Sequence, residues 1–166
     1  IRAESAYNDD LPIVVEELAG KEGLLVESDG AKCVFLEEFK GKDQKPLPAI
    51  IQKSDGGYPY IATDLAAVRH RTRVLNADKV LYVVGGEQKL HLRQLFAVAQ
   101  KVGYIQPDQE FKHLPFGMVL KEDGSRFKTR DGADVKLIDV LDEAIERAFA
   151  LVSKKNPELS PSERQK

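Results

Sequence analysis

The chain has 166 residues, 42% of them hydrophobic and 31% charged, with a formal net charge of −2; this is the size and balance of one soluble globular domain with its own core. Near-neutrality excludes whole-chain attraction to nucleic acid or anionic membrane and leaves only local patches. The single cysteine, Cys33, excludes an intrachain disulfide and a cysteine-rich zinc site, and no apolar run approaches the roughly 20 residues of a membrane span.

No signal-peptide pattern opens the sequence, so the expected setting is cytoplasmic. The sequence begins at Ile1, its only methionine is Met118, and it ends in the charged run Glu163-Arg164-Gln165-Lys166. The expectation is a piece of a longer protein.

In chain order, residues 8–19 read as a helix: Asn8 can cap it, Pro12 suits its first turn, and Leu11, Val14, Val15 and Leu18 share a face. Gly20 and Gly23 stop it. Residues 24–27 and 31–36 read as strands joined by the hairpin signal Ser28-Asp29-Gly30. Residues 49–52 read as a third strand and Asp55-Gly56-Gly57 as a turn. Ile61, Leu65, Val68 and Leu75 then follow a helical period. Val80–Val84 reads as a buried parallel strand that stops at Gly85-Gly86. Leu92, Leu95, Phe96, Ala99 and Val102 mark a helix ending at Gly103. Residues 111–120 read as strand or extended chain, and residues 122–134 as a polar, glycine-containing loop. Leu137, Leu141, Ala144, Ile145, Ala148 and Val152 mark a long last helix, after which Ser160 or Ser162 can cap a further one.

Helix, strand, helix, strand, helix is the rhythm of a parallel α/β sheet. Two parallel strands are too few for a complete doubly wound fold. The expected fold is therefore α/β, the second half of a Rossmann-type nucleotide-binding fold with a small antiparallel β insertion. The expected organisation is helix plus insertion over 1–57, half-fold over 58–152, and the start of a connection to a further helical domain over 153–166.

Four constellations can carry chemistry. Tyr60 and Asp64, four apart, share one helix face; a carboxylate beside a phenol ring receives a guanidinium by forked hydrogen bonds and stacking, or else Tyr60 packs in the core and Asp64 caps the helix. Gln88 and His91 follow Gly85-Gly86 at a strand end, where open α/β sheets bind ligands, although His91 also reads as an ordinary surface histidine. Residues 123–132 form a loop with three cations that can close on phosphates or be a solvated turn. Phe116-Gly117-Met118-Val119 offers flat apolar neighbours and a close backbone for an adenine ring, or a plain core strand. A basic patch, Arg69, His70, Arg71 and Arg73, is a solvated helix face or a nucleic-acid contact.

In this order the segments resemble the arginyl-tRNA synthetase family of class I aminoacyl-tRNA synthetases. The segment Lys53–Ala67 resembles the family signature with tyrosine and aspartate four apart. Ala77–Val84, followed by Gln88 and His91, is similar to the next stretch. Phe116–Val119 resembles the adenine-contacting strand, Arg126–Gly132 a degenerate KMSKS loop, and Val135–Ala148 the helix that follows it.

The resemblance implies ATP-dependent activation of arginine to arginyl-adenylate and transfer to tRNA(Arg). It implies that Tyr60, Asp64, Gln88 and Glu4 bind arginine, that His91, Phe116, Gly117, Met118 and Val119 line the ATP site, and that Phe127, Lys128, Thr129 and Arg130 form the catalytic loop. Mg²⁺ would accompany ATP on its phosphates, with no protein-bound structural metal. Partners would be arginine, ATP and tRNA(Arg), without a membrane; the oligomeric state stays open. Thr129 stands where the full loop pattern has a second lysine, and Gly86-Glu87 where many relatives have a small residue and arginine, so no role is carried to Glu87. The family's HIGH motif and helical anticodon-binding domain have no counterpart here, and the chain alone is expected to be inactive. The rival reading is a non-catalytic nucleotide-binding or interaction module on the same half-fold. It would show an exposed apolar patch in place of a concave site shared by Tyr60, Asp64 and Gln88.

Overall fold

The computed structural model describes residues 1–41, 43–117 and 136–164. The chain divides into two units, Ile1–Met118 and Val119–Lys166.

The first unit opens with a 3-10 helix, Glu4–Asp10, that runs into α1 (Leu11–Ala19). The expected cap Asn8 lies inside the 3-10 turn; Asp10 is the N-cap and makes no side-chain cap bond, while Pro12 sits in the first turn as expected. Next come β1 (Val26–Ser28), β2 (Ala31–Val34) and β3 (Ala49–Gln52), an antiparallel sheet in the order β1-β2-β3. Asp29 and Gly30 both have positive φ, 50° and 74°, the geometry a two-residue hairpin needs to match strand twist. Register runs Val26 to Cys33 and Cys33 to Ile50, with an irregularity between Lys32 and Cys33. The Asp55–Gly57 turn closes through Lys53 N–H to Gly57 O at 2.8 Å, with Gly56 at φ 83°.

Helix α2 (Tyr60–Arg73) buries Ile61, Leu65 and Val68 as its period requires. It stops before Leu75, which is 62% exposed: Asn76 turns left-handed at φ 50° and ends the run, so Leu75 does not belong to the apolar stripe expected for it. Strand β4 (Lys79–Gly85) leads through a 3-10 turn, Gly86–Gln88, into α3 (Lys89–Val102), which ends on Gly103 at φ 88°, a left-handed cap that glycine adopts without Cβ strain. Strand β5 (Glu110–Phe116) then pairs parallel with β4, from Lys79 with Glu110 to Gly85 with Phe116.

One apolar core joins these elements. Leu18 from α1, Ile51 from β3, Leu65 from α2 and Leu95 from α3 are fully enclosed in it, and each such side chain contributes roughly 1.5–3 kcal/mol of burial. The strand expected to be buried on both faces is not. Val80, Tyr82 and Val84 of β4 are half-buried, with Tyr82 and Val84 packed on the core, while Leu81 and Val83 on the other face are 48% and 64% exposed. Alternation replaces a continuous buried run because, among the described residues of this unit, only one face of the pair is covered.

In the second unit, α4 (Leu137–Lys155) places Ile138, Leu141, Ile145 and Phe149 along one face; Asp139 in its first turn and Lys154 and Lys155 in its last complement the helix dipole. Before the short α5 (Pro161–Arg164), the Ser160 N–H and hydroxyl both donate to the Glu163 carboxylate, at 3.0 Å and 2.6 Å.

Candidate functional site

An open cleft of about 560 Å³ lies beyond the carboxyl end of β4. The first turns of α2 and α3 flank it, the 3-10 turn Gly86–Gln88 borders it, Phe116 reaches it from the end of β5, and Glu4 enters from the opening 3-10 helix. Open α/β sheets take ligands at this position because strand ends leave a crevice toward which helix N-termini point.

Local sequence places each group. Pro59, extended at φ −77° and ψ 166°, is the N-cap of α2 and makes Tyr60 its first residue; one turn later Asp64 projects beside it. Neither bland reading of the pair holds: Tyr60 is 78% exposed and so is not a core side chain, and Asp64 is not a helix cap. Gly85 ends β4 and sets Gln88 and His91 at the head of α3. Tyr60, Asp64, Gln88 and Glu4 thus line one concavity, the convergence that separates a binding cleft from an interaction module.

The side-chain chemistry of the lining is acidic and aromatic. Glu4, Asp64 and Glu87 supply carboxylates, and no lysine or arginine is among the described residues that line it. Such a site favours a cation. His91 and Asp64 make the closest polar contact here, 2.6 Å between Nε2 and Oδ2. Among the described residues no other side chain hydrogen-bonds Asp64. Tyr82 forms part of the wall: its ring meets Phe96 edge-on at 5.2 Å, and Phe96 meets Phe111 at 5.8 Å. Burial pushes the Tyr82 phenol up to about 12, against the nearby Arg71 charge. The phenol therefore stays neutral and accepts a 2.8 Å hydrogen bond from Arg71. His113 ties β5 to β4 near the cleft through its Nε2 and Val84 O, 3.1 Å apart.

Other expectations fare differently. Phe116 reaches the cleft with 56% of its surface exposed, and Gly117, past the end of β5, is exposed too, so neither is core strand. Met118, Val119, Phe127, Lys128, Thr129 and Arg130 lie outside the described residues. The basic patch is not a row of unpaired cations, although Arg73 stays exposed. Arg69 and Arg73 pair with Glu17 on α1, Arg71 bonds Tyr82, and the His70 ring packs edge-on against Tyr7 at 5.9 Å. Glu87 is a lining residue to which no role was carried. Nothing in the sequence singles it out; the structure sets it in the lining through the 3-10 turn that follows β4. No group of three or more His, Cys, Asp and Glu among the described residues is arranged to hold a metal ion. No helix of the described residues is long and apolar enough to cross a membrane.

An α/β unit with an acidic cleft at its strand ends defines a class, and comparison with known proteins names the family. The profile described as "tRNA synthetases class I (R), catalytic domain" matches residues 1–166, and the chain belongs to that family, the arginyl-tRNA synthetases. It is similar to an arginine–tRNA ligase of Hahella chejuensis, 56% identical over 163 residues, and to one of Pseudomonas putida, 57% identical over 163 residues. Each match covers 98% of this chain but 28% of the relative, so the chain spans little more than a quarter of their length. Among solved structures, the arginyl-tRNA synthetase of Plasmodium falciparum matches with a TM-score of 0.65 and 32% identity, over 92% of this chain and 23% of that one. The Thermus thermophilus arginyl-tRNA synthetase, at 20% identity, TM-score 0.58 and coverage of 93% of this chain and 31% of that one, shares the fold.

Proposed function

We propose that this chain carries the amino-acid pocket and part of the ATP site of a cytoplasmic arginine–tRNA ligase. The observation that carries the reading is the meeting of Tyr60, Asp64, Gln88 and Glu4 in one acidic cleft without lysine or arginine among its described lining residues. In it, Asp64 accepts a forked pair of hydrogen bonds from the substrate guanidinium, the Tyr60 ring stacks on it, Glu4 adds negative charge, and Gln88 holds the amino-acid end.

The substrate carboxylate attacks the α-phosphorus of ATP and pyrophosphate leaves; a terminal ribose hydroxyl of tRNA(Arg) then attacks the acyl carbon of the arginyl-adenylate and AMP leaves. Phe116, Gly117, Met118 and Val119 contact the adenine. Phe127, Lys128, Thr129 and Arg130 form the loop that stabilises charge developing on the phosphates. Mg²⁺ travels with ATP on phosphate oxygens and water.

Residues 58–152 act as the second half of a Rossmann-type catalytic fold, residues 1–57 as a helix with an antiparallel insertion, and residues 153–166 as the lead toward a helical domain. Support for the half-fold comes from the β4 face that the described residues of this unit leave uncovered: Leu81 and Val83 are apolar surface of the kind a sheet buries under a further layer. The same two residues would suit an interaction module, but that reading leaves the convergent cleft without a use.

The test is Asp64→Ala in the intact enzyme, with KM for arginine and for ATP measured by tRNA charging. Leaving a bound guanidinium unpaired costs about 2–5 kcal/mol, so arginine KM rises at least about thirtyfold, each factor of ten being about 1.4 kcal/mol, and ATP KM stays near normal. A normal arginine KM defeats the assignment. For the loop, Lys128→Ala and Arg130→Ala are expected to slow ATP–pyrophosphate exchange by up to roughly 10²–10³-fold with little change in KM.

A further inference from the structure

We infer that His91 is a positioning residue for the arginine-selecting carboxylate: its ring N–H holds the Asp64 carboxylate in the plane that a guanidinium needs. The inference rests on the reading of Asp64 given above, and it moves His91 from the ATP side of the site to the amino-acid side.

The contact is the starting point. His91 Nε2 lies 2.6 Å from Asp64 Oδ2, the short range of a hydrogen bond to a charged acceptor. An ionised carboxylate only accepts, so in this pair the proton sits on Nε2. Each partner is about a third exposed, with side-chain values of 30% for His91 and 37% for Asp64, so water competes with the bond less than at an open surface.

Geometry then shows what the bond does. An aspartate carboxylate turns about a broad, weakly restrained final torsion. A forked guanidinium contact requires both oxygens in one plane facing the ligand, and a free carboxylate would surrender that freedom only on binding. His91 takes one lone pair of Oδ2. The other lone pair of Oδ2 and both of Oδ1 remain for the substrate. The imidazole is itself anchored, because it rises from the first turn of α3, directly before the buried Leu92. Asp64 stands on α2, 27 positions earlier in the chain. The bond therefore spans two helices that share the core, and both ends are backbone-rigid. No other side chain among the described residues could take this role, since none hydrogen-bonds Asp64.

The experiment is a double-mutant cycle in the intact enzyme: His91→Ala, Asp64→Ala, the double variant, and His91→Gln, whose amide N–H has a reach close to that of Nε2. Arginine KM and ATP KM are read for each. His91→Ala is expected to raise arginine KM roughly tenfold, the effect of losing one hydrogen bond to a charged group, and to leave ATP KM within about twofold. His91→Gln should recover most of the loss. In the Asp64→Ala background, His91→Ala should add nothing, because its effect passes through that carboxylate. His91→Leu, of similar bulk and without a donor, repeats the measurement if thermal melting shows that His91→Ala unfolds.

The inference is overturned by a raised ATP KM with normal arginine KM, by an undiminished His91 effect in the Asp64→Ala background, or by no recovery in a folded His91→Gln. If Asp64→Ala weakens arginine binding while the donor-free His91 variants do not, the positioning role alone fails. If Asp64→Ala leaves arginine KM normal, the pocket assignment fails and takes this inference with it.

Discussion

The two ends of helix α2 set their polar side chains in different company. In its C-terminal half, Arg69 and Arg73 meet Glu17 of α1, at 3.1 Å and 2.8 Å, and the Arg73 guanidinium lies 5.0 Å from the centroid of the Tyr104 ring. At its N-terminus stand Asp64 and Tyr60, a carboxylate and a phenol with no guanidinium on them among the described residues. The first is a closed set of carboxylate, cation and ring. The second is a carboxylate and an exposed ring, with the His91 imidazole on the carboxylate.

Burial follows from that difference: Tyr104 is 1% exposed and Tyr60 is 78% exposed. Burial alone would push the Glu17 carboxyl up. Hydrogen bonding, from Arg69 foremost, more than offsets this and holds it below its ordinary value of 4.5. The buried Tyr104 hydroxyl makes no hydrogen bond of standard geometry but lies near enough to Glu17 to be influenced by it. Burial and then the Glu17 carboxylate push this phenol up, so it stays neutral. The carboxylate beside the C-terminal half of the helix is held by two guanidinia of the fold, while Asp64 near its start meets only His91 among the described side chains and lines the cleft.

The sharpest way to break the comparison is to exchange the roles. Asp64→Ala is expected to abolish most arginine affinity, by at least the thirtyfold already stated, while lowering stability in urea by less than Glu17→Ala does, because it breaks one part-buried bond, to His91, where Glu17 meets two guanidinia. Glu17→Ala should do the reverse. Among the described residues it leaves Arg73 without a carboxylate and Arg69, only 23% exposed, with Asp10 alone, 3.5 Å away, and the expected loss is about 1–3 kcal/mol of stability in urea denaturation, with arginine KM in the intact enzyme unchanged.

Smaller effects sharpen the same contrast. Tyr60→Ala removes a stacking surface worth about 0.5–2 kcal/mol, so arginine KM should rise by a few-fold up to roughly thirtyfold with the melting temperature unaltered. The least effect is that of pH. Because the folded-state value of Glu17 is depressed, its contribution is fully present above the unfolded value near 4.5 and is lost as pH falls through the lower folded value. Stability measured from pH 5 downward should therefore fall less steeply in Glu17→Gln than in the parent. Parallel curves would show that Glu17 contributes nothing through its charge.

Much of this was legible in the residues. The Asp29-Gly30 hairpin, the third strand over 49–52, the stripes of α1 and α3 and the Gly103 stop are local matters, fixed by backbone preferences and by a period short enough to read within one element. So was the pairing of Tyr60 with Asp64, because four residues make one helical turn. The basic patch was not legible. Arg69, Arg71 and Arg73 look free in sequence because their partners stand far away: Glu17 is 52 positions from Arg69 and 56 from Arg73. Leu75 was misplaced for a related reason, since a hydrophobic period does not announce that Asn76 will turn left-handed.

The sequence by itself determined where the chain turns, which faces are apolar and which residue types a guanidinium pocket could draw on, since all of these depend on neighbours within a few positions. Tertiary structure decided which charges are consumed and which stay available. It set Arg69 on Glu17, His91 on Asp64, and Glu4, Gln88 and Glu87 around one cleft. The physical reason is that electrostatic and hydrogen-bond energies act over a few ångströms of space whatever the distance along the chain. A partner 27 or 52 residues away becomes a neighbour only when the core that joins α1, α2 and α3 has closed.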